Sequence, residues 1–341
     1  MSIKSPKNLS EREPCADAKG KGRCANFRAS VSVFLILTIG LLGATSSIAA
    51  DPWLDSVEHR YADSNGVKIH YAVTGSGPLI VFIHGFPDFW FSWHHQMKGL
   101  SGNYTVAAMD TRGYNLSDQP EGVENYDLAL LVADVAAVIR AENADKAIVV
   151  GHDWGGAIAW SFAAMLPEMT DKLIIVNMAH PAAFVRELMA ENSAQHASSA
   201  YARGFQQENS HEALNAQALA EIVAPDDPEL QAVYVEAFQR SSIESMMNYY
   251  RRNFPREPYQ LPQLPEIQAP VLQFHGLDDW AILPGTLNGT WEHLASDWTL
   301  VTLPGIGHWS HHQAAEMVTE TMAWWLKMRS GQDQDESPSR P

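Results

Sequence analysis

Four short apolar runs, at residues 79–83, 105–109, 147–150 and 173–176, constrain this chain more than any other feature. They are set off by nearby Gly, Asp or Pro. Runs that short and that uniformly apolar read as strands covered on both faces, as in a parallel sheet between helices. Helical patterns lie between them: Leu128, Leu131, Val132, Val135, Val138 and Ile139 share one face at 3.6-residue spacing. Strand alternating with helix predicts an α/β fold with a mostly parallel sheet covered on both sides. Upstream, Val67, Ile69, Tyr71 and Val73 alternate with Lys68, His70 and Ala72, which predicts a strand with one wet face.

The alternation stops after His180-Pro181. Residues 184–265 are rich in Ala, Glu, Gln and Ser at helical spacing and close in a Pro-rich stretch. The sheet pattern resumes at 270–274 and 300–303. A last helix, about 313–328, turns Val318, Met322, Trp325 and Leu326 inward. The expected organisation is one core, residues 51–183 and 266–329, interrupted by a helical insertion, with a disordered polar tail at 330–341.

The first fifty residues differ from the rest. They hold seven Lys/Arg, three Asp/Glu and both cysteines, Cys15 and Cys24. A polar, basic stretch leads into an apolar run at 31–42 and the small residues Ser46-Ser47-Ile48-Ala49-Ala50. This pattern reads as an export signal cut near Ala49 or Ala50, or as an uncleaved membrane anchor. The apolar run is short of the roughly 20 residues a spanning helix needs. The expected location is therefore exported, periplasmic or secreted. Residues 51–341 carry 16 basic and 37 acidic residues, a net charge of −21. That balance argues against nucleic-acid binding, which needs clustered Lys and Arg. Without further cysteines, 51–341 can hold neither a disulfide framework nor a thiolate metal site.

After the run at 147–150 comes Gly151-His152-Asp153-Trp154-Gly155-Gly156, then a helical pattern with Ile158, Phe162 and Met165. This is small-x-nucleophile-x-small at a strand-to-helix turn. The turn is tight and the neighbouring backbone passes close, hence the glycines. It sets the central side chain over a helix N-terminus, which favours an anion. That residue is usually serine; here it is Asp153. A carboxylate needs no base to deprotonate it, and it can attack a saturated carbon to form an alkyl ester. Only the second step, attack of water on that ester, calls for a base, an orienting acid and an oxyanion hole. Leu303-Pro304-Gly305-Ile306-Gly307-His308-Trp309 places His308, as the base, after the last predicted strand. Gly276-Leu277-Asp278-Asp279 follows the strand before it and supplies the acid, with Asp279 preferred and Asp278 open. The order nucleophile, acid, histidine is that of the α/β-hydrolase fold. The expected oxyanion donors are the backbone N–H groups of Trp154 and of Phe86, in His84-Gly85-Phe86-Pro87. One Asp in a Gly-rich loop is ordinarily a turn residue. Four such loops, each after a predicted strand, point to catalysis. No Gly-x-Ser-x-Gly occurs, which argues against a serine esterase.

The segments HGFPDFWFSWHHQM, DTRGYNLSDQP, GHDWGGAIAW, NMAHP and GIGHWSHHQ resemble those of epoxide hydrolases of the α/β-hydrolase superfamily, the soluble type. The resemblance spans about residues 55–328. It implies an eight-stranded sheet, a helical cap at 184–265, a small-molecule epoxide substrate, a vicinal diol product, and no cofactor or metal. It also implies two cap tyrosines that hydrogen-bond the epoxide oxygen, because ring opening releases an alkoxide, a poor leaving group without an acidic O–H. The segment Ser199-Ala200-Tyr201-Ala202-Arg203-Gly204-Phe205-Gln206 resembles the first tyrosine segment and Asn248-Tyr249-Tyr250-Arg251-Arg252-Asn253 the second. The roles pass to Tyr201 and Tyr250. Around Tyr201 the match is looser, because Ala202, Arg203 and Gly204 replace the usual aromatics. Trp154, Phe86 and Pro87 are expected to line the substrate pocket.

Alternatives remain. A haloalkane or haloacid dehalogenase shares Asp153, His308, the acid and Trp154, but commonly has Asn in place of Phe86, and fluoroacetate dehalogenases usually have Arg in place of Trp154. A non-catalytic exported factor or ligand sensor on the same fold is the other, against which the complete triad argues. Trp90, Phe91 and Trp93 are candidates for an apolar pocket or for the core. His84 and His275 are expected to structure loops, and His94 and His95 to pack or lie at the surface. His311 and His312, which with His308 suggest a metal cluster, are expected at the surface.

Overall fold

The computed structural model describes residues 51–330. The expected export segment, both cysteines and residues 331–341 lie outside the described residues. Eight strands form one sheet: β1 (Glu58–Ser64), β2 (Val67–Gly75), β3 (Leu79–Ile83), β4 (Thr105–Met109), β5 (Ala147–His152), β6 (Thr170–Val176), β7 (Val271–Gly276) and β8 (Trp298–Leu303). Their spatial order is β1-β2-β4-β3-β5-β6-β7-β8. The β1–β2 and β2–β4 pairs are antiparallel and all others parallel. Strands β3 and β5 are buried along their whole length, as uniform apolar runs require.

The helices are α1 (His94–Leu100), α2 (Leu128–Ala141), α3 (Trp154–Met165), α4 (Pro181–Met189), α5 (Ala194–Ser198), α6 (Ala200–Phe205), α7 (Ala216–Val223), α8 (Pro228–Arg240), α9 (Ile243–Asn253), α10 (Ser310–Gln313) and α11 (Ala315–Ser330). Helix α1 packs against α11, and α2 against α3. The chain runs from β3 through α1 to β4 on one side of β3, then back through α2 to β5 on the other. With right-handed crossovers, that reversal puts the two helices on opposite faces of the sheet. Helix α11 buries Val318, Met322, Trp325 and Leu326, the four residues expected to face inward.

Two readings need correcting. Strand β2 has no wet face in its middle, since residues 69–73 are all buried. It lies between β1 and β4, and His70 tolerates burial because its Nδ1 meets Asp110 Oδ2 at 2.6 Å. Strand β1 was not anticipated, because its charged sequence sits exposed on the sheet edge. The signal for it is Asn65-Gly66, whose positive φ values of 55° and 87° close a two-residue hairpin pairing Ser64 with Val67.

Between β6 and β7 the described chain is helical from α4 to α9, and α5–α9 form an insert consistent with a cap. No helix among the described residues is long and apolar enough to cross a membrane. The loops leaving the carboxyl ends of β3, β5, β6, β7 and β8 carry Phe86, Asp153, Asn177, Asp279 and His308, the edge where parallel sheets place their ligands.

Candidate active site

Asp153 stands between the last residue of β5 and the first of α3, with φ 50° and ψ −121°. A non-glycine residue held there is strained, and such strain persists where the surroundings over-determine it. Close packing does so here. A Cβ on Gly155 would lie 2.1 Å from the Ile83 carbonyl oxygen, and one on Gly85 would lie 2.4 Å from Asp153 Cβ. Only glycine lets the elbow and the loop after β3 approach this closely. The reward is a hydrogen bond: the Phe86 N–H donates to Asp153 Oδ1 at 2.8 Å. The Trp154 N–H opens α3 and, as a first-turn amide, has no acceptor within the helix. His84 fixes the loop after β3. Its Nδ1–H donates to the Gly85 carbonyl at 2.8 Å and its Nε2 accepts from the Thr111 N–H at 3.0 Å.

His308 sits between two carboxylates. Its Nδ1 is 2.8 Å from Asp279 Oδ2 and its Nε2 is 3.4 Å from Asp153 Oδ2. All three side chains are buried. The geometry distinguishes the two adjacent acids: Asp278 is exposed, whereas Asp279 faces His308. Asp279 is itself held, with Oδ1 accepting from the Ala281 and Ile282 N–H groups at 2.8 and 3.0 Å, and Oδ2 from Asn177 Nδ2 at 2.8 Å.

Burial alone would raise both carboxyls and lower the imidazole. For Asp279 the His308 charge and hydrogen bond win and bring it down to about 2. Asp153 is held below the ordinary aspartate range by its hydrogen bond and charge contact with His308, with His152 and the Phe86 N–H adding to them. For His308 burial is outweighed first by the Asp279 charge and then by hydrogen bonds to both aspartates, raising it to about 10.

Tyr201 on α6 and Tyr250 on α9 line one cavity of about 520 Å³ together with Asp153 and Trp154. The rest of the wall is mainly apolar, including Ala157, Met178, Phe184, Val185, Phe254 and Ile282. The two tyrosine rings stand 6.4 Å apart and edge to face, and Tyr250 is edge-on to Trp154 at 5.1 Å. Burial, with the neighbouring Asp153 charge, pushes both phenols well above their ordinary range, so both keep the O–H. Of the expected pocket residues, Trp154 lines this cavity, but Phe86 and Pro87 do not. The Phe86 ring packs edge-on against Phe205 and Tyr250, 5.5 Å from each, backing the tyrosine. Trp90, Phe91 and Trp93 are core residues, with Trp93 against Phe82 at 5.1 Å.

Several residues here were not singled out from sequence. Asn177 orients Asp279 and also donates to the Gly307 carbonyl at 3.2 Å. His152 Nε2 bonds the His308 carbonyl at 2.9 Å. Trp280 packs on Tyr201 at 5.1 Å. Each borders a loop at a strand end, which is the sequence signal by which they could be found. His275 bonds the Ile282 carbonyl at 3.0 Å, in keeping with a loop-structuring role. The surface expected for His311 and His312 is wrong. His311 is fully buried against Trp93 and His152, at 4.5 and 4.4 Å, and the Nε2 of the half-buried His312 is inaccessible too. The short helix α10 packs against β7 before α11 begins, whereas the sequence reading starts one helix at about 313.

The fold, the elbow and the loop order define a class, and residues 78–315 match the alpha/beta hydrolase fold family. The chain belongs to the alpha/beta hydrolase superfamily. Epoxide hydrolase 1 of Caenorhabditis elegans is 35% identical over 291 residues, covering 80% of this chain and 71% of that protein. The AB hydrolase superfamily protein YfhM of Bacillus subtilis is 33% identical over 289 residues, covering 80% of this chain and 99% of that one. A crystal structure of a mutant epoxide hydrolase from Bacillus megaterium, complexed with its naphthyloxypropanediol product, superposes with a TM-score of 0.74 at 31% identity, covering 79% of this chain and all (100%) of that one. This chain is therefore a hydrolase of the α/β fold with epoxide hydrolases among its relatives.

Proposed function

We propose that the chain hydrolyses small-molecule epoxides to vicinal diols through an alkyl ester on Asp153. The observation that carries this reading is that two phenols, Tyr201 and Tyr250, line one largely apolar cavity together with Asp153. A halide leaves without a proton; an epoxide oxygen does not.

Asp153 Oδ2 attacks an epoxide carbon, the carbon–oxygen bond opens, and a tyrosine O–H donates to the departing alkoxide. Oδ1 stays on the Phe86 N–H, with the Trp154 N–H beside it as the second donor. Ester formation cancels the Asp153 charge. That charge helps hold His308 protonated, so its loss frees the imidazole, the displaced proton making good the one the tyrosine gave. His308, oriented by Asp279, then takes a proton from water. The hydroxide adds to the Asp153 carbonyl carbon and the developing oxyanion is met by the two N–H groups; the Oδ2–Cγ bond then breaks, the added hydroxyl's proton passes to the departing oxygen, and the diol leaves. Asp153 is restored as carboxylate.

The reading is tested by parallel assay of matched epoxides and haloalkanes. It expects diol from the epoxides and little halide from the haloalkanes. Halide release exceeding diol formation contradicts it in favour of dehalogenation.

A further inference from the structure

We propose that Asp88, His311 and His312, with His152 alongside, form a binding site for one divalent transition-metal ion of the zinc, cobalt or nickel kind, in the protein interior behind His308. The carboxylate of Asp88 is fully buried. Its Oδ1 accepts from Tyr234 Oη at 2.6 Å and its Oδ2 from Trp309 Nε1 at 3.2 Å. Ligating carboxylates are commonly oriented by such hydrogen bonds. Around it stand imidazoles without partners: both ring nitrogens of His311, Nε2 of His312 and Nδ1 of His152 are buried and make no hydrogen bond. His152 Nδ1 lies 3.9 Å from Asp88 Oδ2.

Buried polar atoms are nearly always satisfied, so an unpaired cluster calls for an ion or water. One donor atom from each of Asp88, His311 and His312 lies within 4.8 Å of the others. A tetrahedral zinc ion, bound at about 2.0–2.2 Å, holds its donors about 3.4 Å apart. The widest pair of donors must therefore draw in by up to about 1.4 Å. Two or three imidazoles and one carboxylate suit zinc, cobalt or nickel, whereas magnesium and calcium want oxygen. Asp88, Asp153 and Asp279 are three buried acids in one region, with His308 between two of them. His152 bridges the proposed site to the triad loop, with its ring 4.4 Å from His311 and 4.8 Å from His308.

The test uses the folded protein stripped with a chelator and dialysed. Calorimetric titration with zinc chloride is expected to give one ion per chain. Cobalt chloride is expected to give the visible absorption of a four-coordinate site, and zinc-edge X-ray absorption to show at least two imidazoles. His311→Gln and His312→Gln should each weaken binding at least about tenfold, since even indirect partners of metal ligands cost that much. His196→Gln, at a half-buried position on α5, should leave binding unchanged. Stoichiometric zinc lost on these substitutions supports the site. No zinc heat and no cobalt band in the wild-type protein, as when the cluster holds only water, overturns it. So does binding that survives both substitutions, which would mark an adventitious surface ion. If a substituted chain fails to fold, the wild-type absorption spectrum decides: without imidazole ligands the proposal falls.

Discussion

The Phe86 N–H donates to Asp153 Oδ1 at 2.8 Å. One oxygen of the carboxylate is thereby fixed in the position an oxyanion would take, and the other, Oδ2, is left 3.4 Å from His308 Nε2. In the proposed mechanism, nucleophile and oxyanion are separate atoms of one side chain, sorted by a single backbone amide. The loop that supplies the amide can approach only because Gly85 has no side chain.

Gly85→Ala tests that relationship. The added Cβ would meet Asp153 Cβ at 2.4 Å and Oδ1 at 2.6 Å, so the nucleophile must move. Displacements near an ångström cost on the order of a hundredfold in rate. Rapid-quench measurement of ester formation should show a loss of about that size in a protein that still melts cooperatively. An unchanged rate would mean that the loop position is unimportant.

His308→Gln should separate the two steps. Asp153 needs no base to attack, so the ester forms; water is no longer activated, so it persists. Turnover should fall by about 10²–10⁴-fold, and intact-mass spectrometry after epoxide addition should show the protein plus one substrate mass.

Tyr201→Phe and Tyr250→Phe should each slow ester formation, by roughly tenfold or more, and the double substitution more than either, because one phenol can partly serve for the other. The magnitude follows from general-acid catalysis at about 10²–10⁴-fold shared between two donors. Burst kinetics with an epoxide gives the readout. Hydrolysis of a preformed ester should change much less.

The ion pair of His308 with its aspartates gives stability a defined pH dependence. The His308 imidazole is raised from 6.5 to about 10, so its contribution is whole below the unfolded value and is lost as pH rises from about 6.5 toward 10. Asp279 is lowered from 3.8 to about 2, so its contribution is present above the unfolded value and is lost as pH falls through about 4 toward 2. The melting-temperature gap between wild type and His308→Gln should be widest near pH 5–6 and close toward pH 10. A gap constant from pH 5 to 10 would contradict this pairing.

Much of this is legible in the amino-acid sequence. Strands β3 and β4 match the predicted runs residue for residue, because both are buried along nearly their whole length. The Asp153 elbow and the His308 loop were legible because Gly marks backbone that must pass close. Local sequence favours Asp279 but leaves Asp278 open, since both follow β7 and only the turn back toward Ile282 decides which faces His308. Nor could it show that the Phe86 ring backs Tyr250 instead of lining the cavity, a contact between residues 164 positions apart in the chain. His311 reads as a surface residue because it precedes the last helix; its burial depends on Trp93, far away in sequence.

The claim that Asp153 carries the substrate is tested most directly by a single turnover in ¹⁸O-labelled water with enzyme in excess over epoxide. Attack by Asp153 puts its own oxygen into the diol and the water oxygen into the carboxylate. The first diol should therefore be unlabelled, and the peptide containing Asp153 should gain ¹⁸O. A labelled first diol with an unlabelled Asp153 peptide would mean that water opens the ring directly, and would contradict the account.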